Sequence, residues 1–172
     1  MACIFDNAIC TIRLYDVACD TEVFHAKLHV NTIKKEEFVE MSEALLALPN
    51  MPLDNKHGLY AQIIDMTEAD IVPTAWIVSV LDRFRENRPA FEQKLLCTIF
   101  ILDNALILKA FQTIIERFYQ PLKPLIIVKD LNKGVAAIQK EESRIQSKKV
   151  DLSNGECASA NPNVLHTVCG DN

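Results

Sequence analysis

Three short apolar runs, 61–65, 98–103 and 125–130, each close on an aspartate (Asp65, Asp103, Asp130) and hand over to a helix-like stretch. A strand buried on both faces reads as a continuous aliphatic and β-branched run. Three such runs alternating with amphipathic segments therefore constrain the chain to an α/β layer fold around a parallel sheet. At 172 residues and 49% apolar content, the chain has material for one domain with a substantial core and too little for two.

The flanking segments extend this pattern. Residues 3–15 and 22–30 alternate apolar and polar, which predicts two strands joined by a turn over 16–21, with one polar face as at the edge of a mixed sheet. Thr32 is placed to cap a helix carrying Ile33, Phe38, Met41, Leu45 and Leu48 on one side, stopped by Pro49 and Pro52. After a loop over 50–58, strand 59–65 leads to a helix from Thr74 with Ile77, Val80, Leu81 and Phe84 at helical spacing, ended by Pro89. Strand 95–102 feeds a helix with Ile107, Ala110, Phe111, Ile114 and Phe118 in one stripe. Strand 125–128 follows Pro121 and Pro124, and a last helix starts near Leu131 with Val135 and Ile138 inward. The predicted fold is α/β: a single mixed, mostly parallel sheet with an antiparallel N-terminal hairpin and four helices, in the order β-β-α-β-α-β-α-β-α. It occupies 1–146. From 147 to 172 the composition turns to Ser, Asn, Gly, Asp and Pro without periodicity, and a flexible acidic tail is expected.

Charge and cysteine usage narrow the class of function. Net charge is −5 with scattered Lys and Arg, so no basic face supplies the counterion release that nucleic-acid binding draws on. The first ten residues contain Asp6 and no Lys or Arg ahead of an apolar stretch, and no apolar run reaches membrane-spanning length, so a cytoplasmic protein is expected. The six cysteines (Cys3, Cys10, Cys19, Cys97, Cys157, Cys169) lack any C-x-x-C pair and are irregularly spaced, which favours reduced thiols. Zinc has no clustered Cys and His. His25 and His29 share one face of a strand but stand about 13 Å apart at the usual rise, and His57 and His166 are remote in sequence.

Asp65, Asp103 and Asp130 are the sharpest chemical feature. Carboxylates at the carboxyl ends of adjacent parallel strands converge where α/β proteins place ligands, and three of them would hold Mg²⁺ for phosphoryl transfer. The competing use is helix capping, since Asp before a helix accepts the free N–H groups of the first turn; Asp103 and Asp130 both fit that description. With four glycines in all, no G-x-G-x-x-G and no Walker loop, nucleotide chemistry has little support. There is no G-x-S-x-G elbow either, and Ser42, Ser79 and Ser143 fall inside predicted helices. Trp76, the sole tryptophan, precedes Arg83, Arg85 and Arg88 along one helix. That pattern suits an interface anchor or, equally, core packing.

With its elements in this order, the chain from about residue 8 to 140 resembles the STAS and anti-sigma-factor-antagonist-like domains, whose outline lipid-binding CRAL-TRIO domains share. The residues carrying the resemblance are Ile63-Ile64-Asp65-Met66-Thr67 through Leu81, and Lys123-Pro124-Leu125-Ile126-Ile127-Val128-Lys129-Asp130 through Ala136-Ala137-Ile138. In the phosphorylatable members the loop reads Asp-Ser-Ser-Gly, which falls here on Pro73, Thr74, Ala75 and Trp76. The acceptor position is Ala75, and Thr74 is the hydroxyl left for modification. The resemblance implies a non-catalytic regulatory module without metal or cofactor. It would contact a protein partner through residues 66–88, with Thr67, Asp70, Thr74, Trp76 and Arg83 as contact residues. The alternatives are a Mg²⁺-dependent phosphoryl-transfer enzyme built on the three aspartates and a carrier of a small lipid or apolar ligand.

Overall fold

A computed structural model of the chain describes residues 2–29, 34–69, 73–118, 121, 123–153 and 166–167. Its sheet is mixed. β1 (Cys3–Asp6), β2 (Cys10–Tyr15) and β3 (Glu22–Leu28) pair antiparallel, and β4 (Tyr60–Asp65), β5 (Leu95–Ile101) and β6 (Leu125–Val128) continue from β3 in parallel. A two-residue strand, β7 (His166–Thr167), pairs with β6. The helices are α1 (Lys35–Ala47), α2 (Thr74–Glu86), α3 (Arg88–Lys94), α4 (Ala105–Phe118) and α5 (Leu131–Ser153), with one 3-10 turn at Leu48–Asn50.

The α/β class and the mixed, mostly parallel sheet agree with the sequence pattern; three details differ from it. The predicted strand 3–15 is a hairpin, because the Asn7 side chain accepts from the Ile9 and Cys10 N–H groups at 3.0 and 2.9 Å and turns the chain between β1 and β2. There are five helices among the described residues rather than four. Pro89 does not end a helix but sits in the first turn of a new one, α3, where its missing N–H costs nothing. α5 runs through Ser153, past the expected boundary at 146, and 154–165 and 168–172 lie outside the described residues, as do Thr32 and Ile33.

Strands β1 to β7 lie in the sheet in their chain order. With every step from β3 to β6 taken in one direction, right-handed crossovers put their helices on one face. α2 packs on α1 and α4 there, and α5 lies across the other face over β4, β5 and β6. Alternate residues of each strand supply the two cores. Val23, Ala61, Ile63, Cys97, Ile99 and Ile138 are buried on the α5 side. Phe24 and Leu28 meet Phe38, Met41 and Leu45 of α1 on the opposite side, where Phe111 and Ile115 of α4 cover Leu125 and Ile127. Among the described residues, no helix is long and apolar enough to cross a membrane.

Candidate functional site

The face that carries α1, α2 and α4 is incompletely filled. α1 buries Phe38, Met41, Ser42, Leu45 and Leu46. α2 is more strongly amphipathic than α1, yet none of its described side chains is fully buried, and Trp76, Ile77, Val80, Leu81 and Phe84 are all half-covered. The reason lies beneath it. Between α2 and strands β4 and β5 is a cavity of about 100 Å³, walled by Phe38 and Met41 of α1, Ile77, Val80, Leu81 and Phe84 of α2, and Phe111 and Ile115 of α4. Its floor is Ile64, Phe100, Gln62 and Thr98. The lining holds no ionisable side chain.

Gln62 and Thr98 are the two polar residues on that floor, 3% and 8% exposed, and the β4–β5 register sets them side by side. Gln62 Nε2 donates to Thr98 Oγ1 at 2.8 Å. Gln62 Oε1 is buried without a hydrogen-bond partner.

Of the strand-end aspartates, Asp65 alone is buried. Its Oδ1 accepts from the Thr67 N–H at 3.0 Å and the Thr67 hydroxyl at 2.7 Å, and its Oδ2 lies 3.4 Å from His25 Nε2. Burial by itself raises the pKa of this carboxyl, but the contacts from His25 and Thr67 outweigh it and hold the group down at about 2. His25 stands edge-on to the Tyr15 ring, 5.6 Å between centroids. Next to this pair, Lys27 meets Glu68 at 2.7 Å, and His29 Nε2 lies 2.8 Å from the Thr11 hydroxyl. His25 and His29 thus have separate partners. By strand alternation, His25 and Asp65 face the α5 side of the sheet, away from the cavity.

The three aspartates do not gather. A strand order that never reverses offers no switch-point crevice between β3 and β6 into which their side chains would converge. Asp130 Oδ1 accepts from the Lys133 N–H at 2.8 Å and caps α5. Asp103 is exposed, and the cap of α4 predicted for it belongs to Asn104, whose Oδ1 accepts from the Ile107 N–H at 3.4 Å. Among the described residues, no three His, Cys, Asp or Glu side chains are grouped to hold a metal.

The predicted contact residues fall in different settings. Thr67 is exposed and engaged with Asp65. Asp70 lies outside the described residues, and Thr74 opens α2 with its side chain outside them too. Trp76 leans on Phe38 with ring centroids 5.6 Å apart, joining α2 to α1. Arg83 pairs with Glu43 of α1, Arg85 with Asp82 at 2.8 Å and Arg88 with Glu92 at 2.7 Å. These arginines, Arg83 and Arg85 on α2 and Arg88 at the start of α3 rather than on the same helix, are therefore partnered inside the molecule. Cys3, Cys10, Cys19 and Cys97 are free thiols. Burial, with Asp6 adding to it, pushes Cys10 up to about 12, and burial with nearby Glu142 and Asp20 takes Cys19 to about 11. Neither is a thiolate nucleophile at neutral pH.

Sequence reasoning did not find the cavity or its floor. The available signal was Gln62, a polar residue inside a run that is otherwise apolar. No family model, curated protein or solved structure matches the chain.

Proposed function

We propose that the protein is a non-catalytic binding module of STAS-like type that takes up a small apolar ligand between its sheet and α2. The observation that carries this reading is the carbon-walled cavity under α2, an amphipathic helix without one fully buried side chain among those described. Pockets for small molecules are concave and mostly apolar, with a few polar groups that orient the ligand. The absence of ionisable side chains from the lining supports binding over chemistry. The regulatory role follows from the roof: a ligand that changes how α2 sits changes the surface that this helix offers to a protein partner. Ala75, Ser79 and Asp82 are on the exposed side of that helix. Thr74, its first residue, is the candidate modification site, where a phosphate would add about −2 charge beside free helix N–H groups.

The test uses Trp76, the only tryptophan, as reporter. Titration of toluene into the full chain should shift Trp76 fluorescence saturably. Val80→Phe, which fills the space under α2, should weaken binding at least about tenfold while leaving the melting temperature unchanged or raised. No saturable response, or equal binding by the filled variant, would remove the reading. The partner face has its own check. A protein retained from the native cell by the wild type and lost by Ala75→Arg supports it, and equal retention by both counts against it.

A further inference from the structure

Taking the cavity to be a ligand site as proposed above, we infer that its ligand is a small neutral molecule bearing a hydroxyl group, held by that hydroxyl on the Gln62 amide. Central strands buried on both faces are built mainly from apolar residues; apart from Asp65, which ends β4 on the opposite face, the buried polar side chains of β4 and β5 are Gln62 and Thr98, paired on the cavity floor. The two do not satisfy each other. A side-chain amide has two donor hydrogens and two acceptor lone pairs, and here one bond runs from Nε2 to Thr98 at 2.8 Å while Oε1 has none. A buried, unpaired amide oxygen on a residue only 3% exposed is a fixed polar handle in an otherwise carbon-walled space. Buried polar groups are costly to leave unpaired, so a ligand that pairs this one gains what a hydrocarbon cannot.

The rest of the lining specifies the remainder of the ligand. With no Lys, Arg or His in it, a carboxylate or phosphate would lose its hydration for nothing, which excludes anions. With no Asp or Glu, ammonium ions are excluded by the same argument. A hydroxyl both donates and accepts, so it matches the amide whichever of its two ends points into the cavity. A volume of about 100 Å³ suits a single ring or a short chain. A lone water would have only the amide and Thr98 as polar neighbours, with hydrocarbon on its other sides, a poor site for it.

The experiment compares phenol, toluene and benzoate on the full chain by isothermal titration, in wild type and in Gln62→Leu. In wild type, phenol and toluene should bind and benzoate should bind far more weakly than either. The phenol-to-toluene affinity ratio should fall about tenfold in Gln62→Leu, the size of one neutral hydrogen bond with its desolvation. Gln62→Met repeats the measurement if the leucine variant does not fold. An unchanged ratio, or benzoate binding as well as phenol, overturns the hydroxyl assignment while leaving the cavity as an apolar site. Failure of all three probes to bind overturns the ligand reading and this inference together.

Discussion

Asp65 and Asp130 end apolar runs in the same way in the sequence and perform different work, because one is buried and the other is not. Asp130 accepts from the Lys133 N–H on the first turn of α5, so Asp130→Ala should cost about 1 kcal/mol in urea unfolding. Asp103→Ala, on an exposed residue whose neighbour Asn104 makes the cap, should stay within about 0.5 kcal/mol of wild type. Asp65 has a pH signature. Its carboxyl is held at about 2 in the folded protein against 3.8 as the ordinary value. A depressed folded pKa contributes stability that is fully present above about pH 4 and disappears as pH falls through about 2. The contribution is on the order of 2 kcal/mol. Wild type and Asp65→Asn should therefore differ most at neutral pH and converge toward pH 2. A difference that stays constant across that window would show that the His25 and Thr67 contacts are not what stabilises the charged form.

At the scale of elements, legibility followed burial. β4, β5 and β6 lie within a residue of the predicted strands 59–65, 95–102 and 125–128, because strands covered on both faces leave a nearly continuous apolar signal. The β1–β2 turn was legible only in the polar pair Asp6-Asn7, which interrupts the alternation; with the Asn7 side chain making the turn and no glycine or proline present, the signal is short. α3 was hidden because a proline that reads in sequence as a helix stop is equally at home in the first turn of a helix. The cavity was unreadable for a different reason: its walls come from three helices and its floor from neighbouring strands, and no local pattern encodes a gap between them. One further close approach is testable. Gly134 lies on the inner side of α5, where an added Cβ would stand 3.2 Å from Ile99 Cγ2, itself fully buried. Gly134→Ala therefore sets a helix-propensity gain of about 1 kcal/mol against a tight contact and should be near neutral. Gly134→Val adds branches that the strand cannot yield to and should destabilise by about 1–3 kcal/mol in urea unfolding.

Across the whole molecule, the packing predicts an uneven distribution of stability. α5 is fixed to the sheet through Ile138, and α1 through Phe38, Met41 and Leu45, all 6% exposed or less. α2 instead bridges α1 and α4 above empty space, tied by the Trp76–Phe38 contact and the Arg83–Glu43 ion pair. Segments with few buried apolar contacts open at lower free energy than the global transition. Hydrogen exchange followed by mass spectrometry should therefore show α2 amides exchanging before those of α1 and of α5 up to residue 147. A ligand that fills the cavity binds only the closed arrangement, and at a hundred times its dissociation constant it should add about 2.7 kcal/mol to whatever opening releases it. That gain should appear as slowed exchange in α2 first, with smaller changes in α5 on the opposite face. Uniform protection across all helices would mean instead that α2 opens only with the whole domain, and that the helix is part of the rigid core rather than the element that yields to admit a ligand.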